Sequence, residues 1–298
     1  MRDTIMDQAT VPIELHVGSG SDALPTLEAA RDHLRSISNR VPARVVVDGG
    51  PFAMEQGLVL GTADSGTAAA PITYCAAKPG ATRLLGGKIL SAFTAIEDEH
   101  TLSRLPAAAR AHAVQFDLGA HGISDVGQLR SRGFSRPITP AHMELFFDGQ
   151  RMQLARWPSA GWAQIDRPAA PSDDEHGGQL GDLQAGFYFA DRRLDRWQDL
   201  DDVWMHGYWG WDWANSYEAI ASRDPESGLI RTRPPHGLYG FRTGARFYFL
   251  NVLEELAQPG DYYVDKRRGL LYFWPPVALD TAEVAVSRSE EHTSELQS

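Results

Sequence analysis

The sequence predicts a mainly β protein whose N-terminal part is the capped end of a stacked β-structure. One amphipathic helix lies near the N-terminus, and short apolar runs closed by turn residues follow it. Hairpin patterns occupy much of the second half of the chain. A doubly wound α/β sheet would need a helix between successive strands, and the short runs are not separated in that way. A length of 298 residues favours one large domain or two ordinary ones.

The first elements are a strand, a helix and a second strand. IELHV, at residues 13–17, alternates as a half-buried strand does. The segment TLEAARDHLRSI predicts a helix with Thr26 as its N-cap. Its apolar residues recur at helical spacing: Leu27, Ala30, Leu34 and Ile37. ARVVVDGG then predicts a buried strand that ends at two glycines.

Three further apolar runs predict short strands, namely GLVLG, PITYCAA and TRLLGG. Cys75, in the second run, is the one cysteine, so a disulfide within the chain is excluded. We expect a buried, inert thiol at this position rather than a nucleophile, because free cysteines are most often small buried side chains.

Two hairpins are predicted further along. MELFFDGQRMQLARW places Asp148-Gly149 where a turn with positive φ is needed. Five apolar residues of this hairpin are expected in a core: Met143, Leu145, Phe147, Met152 and Leu154. The second hairpin pairs DYYV with LLYFW, and NVLEELAQPG before it predicts a short helix stopped by Pro259-Gly260.

Composition excludes several classes of partner. The formal net charge is −11, whereas a nucleic-acid footprint would be basic and clustered. No run approaches the roughly eighteen apolar residues of a membrane span, and the N-terminus lacks the apolar segment of a secretory signal. We therefore expect neither a nucleic-acid nor a membrane partner. The sequence leaves the compartment and the oligomeric state open.

The last segment, RSEEHTSELQS at 288–298, has neither a helical nor a strand period. Its codons can spell a widely used sequencing adapter, which it resembles over its whole length. We therefore expect this tail to be non-native and to pack against nothing, and we expect the natural protein to continue past Ser287.

The segment WQDLDDVWMHGYWGWDWANSY concentrates tryptophan and tyrosine near acidic residues. Indole faces stack on sugar C–H surfaces, so we select Trp204, Trp209, Trp211 and Asp212 as candidate carbohydrate-binding residues. In any strand there, alternation would place Trp209, Trp211 and Trp213 on one face, which is either a core or a platform. We expect most of these aromatics in the core, with one or two lining a groove.

No catalytic residue is assigned. Acid pairs are abundant around Asp199, Asp201 and Asp202 and at Asp173-Asp174, and such runs are usually solvated surface. The ten histidines lack the spacing of a helical zinc site, so no metal site is predicted. No cofactor motif is present either, because GSGSDA lacks the spacing of a phosphate-binding loop.

Five blocks, in order, resemble the N-terminal part of right-handed parallel β-helix repeat proteins related to glycoside hydrolase family 141. The blocks are TLEAARDHLRS, VVVDGGPF, DSGTAAAPITYCAAKPGATRLLGGK, LFFDGQRMQLARWP and FYFLNVLEELAQPGDYYVDKRRGLLYFWPP. The resemblance implies a capped solenoid interrupted by a β-sandwich-like insertion. It would place the cap helix and first strands at 1–110, the insertion at 111–235, and the return helix and hairpin at 236–287.

The resemblance also implies a function. It points to a glycoside hydrolase that acts on a complex polysaccharide without a cofactor, with its active site on later coils that this chain lacks. The chain alone is therefore expected to be inactive. Two alternatives stay open. One is a polysaccharide lyase, whose later coils would supply a basic residue and a Ca²⁺-binding acidic cluster. The other is a non-catalytic glycan-binding or adhesion solenoid that uses the tryptophan-rich region.

Overall fold

The computed structural model describes residues 11–37, 41–54, 57–124, 126–137, 142–172 and 180–287. The chain divides into two compact units, one ending at Lys88 and the other beginning at Ile89. Strands dominate both units, which confirms the mainly β fold class. The predicted adapter tail and Asp173-Asp174 lie outside the described residues. In the described part of the chain, no helix has the length and apolar character needed to cross a membrane.

The first unit contains helix α1 (Leu27–Ser36) and a 3₁₀ turn at Thr62–Asp64. Its described strands are β1 (Ile13–Val17), β2 (Ala43–Val47), β3 (Phe52–Ala53), β4 (Ile72–Ala76), β5 (Leu84–Leu85) and β6 (Gly87–Leu90), the last of which extends into the second unit.

Helix α1 forms as its sequence predicts. The Thr26 side chain accepts a hydrogen bond from the Ala29 backbone N–H at 3.1 Å, which satisfies one of the free donors of the first turn. Leu27, Ala30 and Leu34 are buried against the strands. The prediction for Ile37 is wrong: the helix ends at Ser36, so this side chain leaves the apolar stripe and is 41% exposed.

Parallel strands stack in the first unit. β2 pairs in parallel with β1 on one side and with β4 on the other, so that Ala43 lies between Ile13 and Ile72. These positions are 30 and 29 residues apart, so each layer uses nearly the same length of chain. β3 and β5 form a second parallel pair. The strand predicted at GLVLG is wrong, because Val59 and Leu60 are 62% and 50% exposed and residues 57–61 join no sheet.

The second unit contains helix α2 (Glu99–Arg104) and 3₁₀ turns at Arg192–Arg196, Leu253–Glu255 and Leu279–Thr281. Its first described strands are β7 (Thr94–Ala95), β8 (Val114–Asp117), β9 (Leu145–Phe147), β10 (Gln150–Arg151), β11 (Gln153–Leu154), β12 (Arg156–Trp157), β13 (Ala163–Gln164) and β14 (Arg167–Pro168). The remaining ones are β15 (Phe187–Tyr188), β16 (Trp204–Gly207), β17 (Ser216–Arg223), β18 (Leu229–Thr232), β19 (Arg246–Leu250), β20 (Asp261–Asp265), β21 (Leu270–Phe273) and β22 (Val284–Ser287).

Both predicted hairpins form. β9 and β10 join through Asp148 and Gly149, whose φ angles are 48° and 73°, as a tight turn between twisted strands requires. The first hairpin is shorter than predicted, since β11 leaves it and pairs in parallel with β20. β20 and β21 form the second hairpin, which β8 extends on its other side. The five expected core residues of the first hairpin all belong to or pack against one hydrophobic cluster. Four of them are buried, and Met152 is partly buried.

The helix predicted at NVLEELAQPG is a single 3₁₀ turn at Leu253–Glu255. Its surroundings explain this, because Leu253 and Leu256 are fully buried in a cluster while Glu255 bonds side chains from another segment. An amphipathic helix buries residues along one stripe, whereas this segment buries residues on several sides.

An eight-stranded sheet is the largest element of the second unit. Its order is β12, β19, β16, β17, β18, β15 and β14, with β13 pairing at the edge of β19. One face packs a dense aromatic core around Phe187, Phe247 and Phe249, each of which has no exposed surface. The opposite face of its β19–β16–β17 segment positions the site described next.

Candidate functional site

The central strands of the eight-stranded sheet alternate strictly between their two faces. On β16, Trp204 and His206 are half-buried on one face, while Met205 between them is fully buried on the other. β19 repeats the pattern, with Tyr248 half-buried and Phe247 in the core. Successive strand residues point to opposite faces, so this alternation collects aromatic side chains on a second surface beside the core surface.

Aromatic rings form a row on this second surface. His206 lies opposite Tyr217 on one neighbouring strand and Tyr248 on the other, with ring centroids 4.5 Å and 5.0 Å away. Trp162, from the loop between β12 and β13, places its ring 5.0 Å from that of Tyr248. Tyr208 completes the group at 5.7 Å from Trp162. We call these five residues the aromatic row.

Three arginines lie against the aromatic row. Their guanidinium carbons stand over ring centroids as follows: Arg132 over Tyr217 at 4.4 Å, Arg156 over Tyr248 at 3.7 Å, and Arg246 over Tyr208 at 4.4 Å. Cation–π attraction favours this arrangement. Backbone contacts position two of them. The Tyr217 N–H donates to the Arg132 carbonyl at 2.8 Å, and Arg156 Nε donates to the Pro158 carbonyl at 2.7 Å.

A groove of about 290 Å³ opens beside the aromatic row. The residues that line it are His142, Arg151, Met152, Gln153, Leu154, Arg156, Tyr217, Tyr248, Leu250 and Tyr262. Among the described residues, this lining combines aromatic surface with two arginines and a histidine and includes no acidic side chain. Mixed aromatic and polar walls of this kind suit a ligand that has both apolar surfaces and hydrogen-bonding groups.

Burial sets the protonation of the groups around the groove. It lowers the pKa of both His142 and His206 to about 4, with Arg132 as the next cause for each. Burial also raises the pKa of Tyr248 to about 12. At neutral pH the two imidazoles are therefore uncharged. Within the described part of the chain, the Nδ1 atom of each is buried without a hydrogen-bond partner.

The four residues selected from the sequence as candidates for carbohydrate binding lie in separate places. Trp204 lines a neighbouring cleft, where its indole N–H donates to Asp202 Oδ1 at 3.3 Å. Trp209 is 3% exposed in the core and donates to Ser216 Oγ at 3.0 Å, so its ring faces are closed to a ligand. Trp211 is half-buried and Asp212 is exposed. Asp212 lies 3.5 Å from Arg246, which connects it to the end of the aromatic row.

The expectation that Trp209, Trp211 and Trp213 share one face is wrong. Residues 208–215 form no strand, so alternation does not apply to them. Trp209 turns into the core, whereas Trp213 is 59% exposed and packs edge-on against Phe134 with ring centroids 5.0 Å apart.

The acidic run forms part of a cleft of about 320 Å³. Asp202 lies 3.0 Å from Lys266, and Asp201 lies 3.4 Å from Arg267, which also binds Asp199. These carboxylates are thus neutralised by neighbouring cations. In the described residues, no three His, Cys, Asp or Glu side chains come close enough together to hold a metal ion.

A buried acid lies on the core side of the same sheet. Glu218 is 1% exposed, and burial is the main cause that raises its pKa to about 7. Ser216 Oγ donates to Glu218 Oε1 at 2.5 Å, and Arg136 Nη2 donates to the same oxygen at 3.1 Å. Sequence reasoning did not single out this residue. Its neighbour Tyr217 belongs to the aromatic row and points to the opposite face of β17. Glu218 and the aromatic row therefore lie on different surfaces of the sheet.

Sequence reasoning singled out the tryptophan-rich segment, which contributes His206, Tyr208 and Tyr217, but missed the other residues of the site. Trp162 and Tyr248 lie tens of residues from the tryptophan-rich segment, and Arg132 and Arg156 belong to other segments again. One local signal was available: RFYFL alternates arginine and tyrosine with phenylalanine, the pattern of a strand with two different faces.

Comparisons with known proteins give a likeness of fold. No family model and no curated protein matches the chain. A solved structure titled "Glycoside hydrolase" superposes with a TM-score of 0.60 at 16% sequence identity, over 92% of this chain and 45% of that one. The chain thus has a fold similar to part of that structure and spans less than half of its length.

Proposed function

We propose that this chain is the N-terminal part of a carbohydrate-active β protein, a glycoside hydrolase of complex polysaccharide, and that the aromatic row binds the glycan. The observation that carries the proposal is the aromatic row, because two of its rings, those of Tyr217 and Tyr248, line a groove together with Arg156 and the neutral imidazole of His142. The fold likeness to a glycoside hydrolase supports it. Among the tryptophans selected from the sequence, Trp209 does not contribute, because its indole lies in the core.

The chemistry of the row suits a sugar chain. A pyranose has an apolar C–H face and a rim of hydroxyl groups. The half-exposed ring of Trp162 offers flat apolar surface to the first. The neutral imidazole of His142 and the guanidinium of Arg156 both line the groove and can pair with the second, because a neutral imidazole nitrogen either donates or accepts and a guanidinium donates.

We place hydrolysis outside this chain. A glycosidase needs two carboxyl groups roughly 5–9.5 Å apart across the scissile bond. The acids of the cleft beside Trp204 are held in ion pairs with Lys266 and Arg267 instead. In this proposal the parallel layers of the first unit begin a β-helix, residues 111–235 are inserted in it, and later coils carry the acids. A binding-only protein is the second candidate, which the aromatic row favours equally.

Binding by the purified chain tests the proposal. We expect retention on at least one polysaccharide in affinity electrophoresis, and a Trp162→Ala variant should bind at least about tenfold more weakly, because one stacked ring contributes on the order of 1.4 kcal/mol. The control is Trp213→Ala, since this indole, which is 59% exposed against 40% for Trp162, lies outside the row.

Equal losses in the two variants, or no retention on any polysaccharide, would refute the proposal. The same samples should release no reducing ends from bound polysaccharide. Reproducible turnover by the chain alone would contradict the placement of the catalytic acids in later coils.

A further inference from the structure

We infer that the groove beside the aromatic row selects glycans that carry anionic groups, carboxylates or sulfate esters, and that Arg132 and Arg156 bind those groups. This inference rests on the proposed function and adds the substrate class. It starts from the distribution of charge in the molecule.

The groove has the opposite charge to the chain as a whole. The formal net charge of the chain is −11, yet the described residues that line the groove include Arg151, Arg156 and His142 and no acid. Arg132 stands over Tyr217, which also lines the groove. A concave cationic site on an otherwise acidic molecule raises the local concentration of anionic ligands.

The two inner arginines keep their charge available. Arg156 donates to the carbonyl oxygens of Pro158 and Gly161, which are neutral acceptors. Within the described residues, neither it nor Arg132 forms an ion pair with a carboxylate. Arg246 differs, since Asp212 lies 3.5 Å from it. A fixed guanidinium without a counter-ion is suited to a bidentate carboxylate or sulfate.

Other charges near the groove do not cancel this field. Arg151, at the rim, pairs with Glu144 at 2.6 Å. Asp261 is 1% exposed, and its carboxylate accepts hydrogen bonds from the backbone N–H groups of Ala257 and Gln258. Asp261, whose charge acts on Arg156, is therefore engaged by the backbone and closed to solvent.

The pKa values of the two histidines respond to the same positive charges. After burial, the causes that lower the pKa of His142 are all cations, namely Arg132, Arg151 and Lys266. Arg132 and Arg156 act in the same way on His206. Two neutral imidazoles beside two unpaired guanidiniums give a site that can hold an anionic group and adjacent hydroxyl groups together.

The test uses the full chain and matched oligosaccharides in titration calorimetry. The probes are an oligogalacturonate, its methyl ester, a sulfated glycosaminoglycan oligosaccharide and its desulfated, carboxyl-reduced form. We expect an anionic form to bind at least about tenfold more tightly than its neutral form at low salt, with the difference decreasing as the ionic strength rises.

Variants connect the selectivity to the groove. Arg156→Gln and, separately, Arg132→Gln should each lower the affinity for the anionic form several-fold more than the affinity for the neutral form. Two variants are needed because Arg156 also holds the loop at Pro158 and Gly161. The control is Arg192→Gln, which removes a cation whose side chain is 73% exposed and paired with Asp195.

The outcomes separate the two proposals. A preference for the oligogalacturonate indicates carboxylate as the bound group, and a preference for the sulfated probe indicates a sulfate ester; either supports the inference. Equal affinity for charged and neutral probes overturns the inference and leaves glycan binding intact. Absence of binding to every probe and to every polysaccharide overturns both.

Discussion

Both faces of the eight-stranded sheet carry aromatic rings, but different groups surround the rings on each face. On the core face, Phe187, Phe247 and Phe249 contact other rings and aliphatic side chains. On the other face, His206 and Tyr248 contact each other beneath arginines. The strands are the same and only the residue parity differs. Aromatic content therefore does not indicate a binding surface, whereas the polar groups that contact the rings do.

The difference in burial should appear first in stability. Phe247 has no exposed surface and packs among several rings, so Phe247→Ala should lower the free energy of unfolding by about 3–5 kcal/mol. Tyr248→Ala, next to it, should cost clearly less, because its ring is half-buried and borders a groove. Urea unfolding of both variants measures this. If the two losses were the same, the second face would be a core as well.

The ionisable groups of the two faces should give opposite pH dependence. Folding raises the pKa of Glu218 from 4.5 to about 7, so the folded chain holds this proton longer than the unfolded chain. The stabilisation from this group therefore declines as pH rises from 4.5 to about 7. His206 behaves in the reverse way. Its pKa falls from 6.5 to about 4, so stability is lost as pH falls through this range.

Two variants isolate these contributions. The stability difference between wild type and Glu218→Gln should decrease with rising pH, and that between wild type and His206→Gln should increase, each by up to about 3 kcal/mol across its window. Unfolding curves at a series of pH values give both differences. If both stability differences changed in the same direction with pH, the prediction would be contradicted, because one of the two groups would then be charged in the folded chain.

The smallest effect is expected outside both faces. Trp213 is 59% exposed and touches Phe134 and Tyr239 only at ring edges. Trp213→Ala should therefore change the free energy of unfolding by no more than about 1 kcal/mol, the range of a single aromatic pair. A loss as large as that of Phe247→Ala would mean that this surface is part of a core.

Local patterns predicted much of the fold. Helix α1 and its cap at Thr26 follow from a stripe and a capping residue within one short segment. The turn at Asp148-Gly149 follows from residues that tolerate positive φ. The 3₁₀ turn at Leu253–Glu255 was not predictable in this way, because burial of both apolar and acidic residues there depends on distant segments.

The candidate site was less predictable for the same reason. Its centre depends on His206 lying opposite Tyr217 and Tyr248, which is a matter of strand register between segments far apart in the chain. Composition directed attention to the tryptophans of the segment that contains His206 and Tyr217. Between Gly207 and Ser216 the chain leaves the sheet, so the directions of the indoles of Trp209, Trp211 and Trp213 are set by irregular backbone that no period describes.

The parallel layers of the first unit have a consequence for cooperativity. β1, β2 and β4 stack with spacings of 30 and 29 residues. β2 lies in the middle and pairs with both of the others. Such an array behaves as a one-dimensional lattice, in which the stability of a layer depends on its nearest neighbours. Order can then spread from the middle layer outwards, and a whole layer of about 30 residues can be gained or lost in evolution without changing the register of the others.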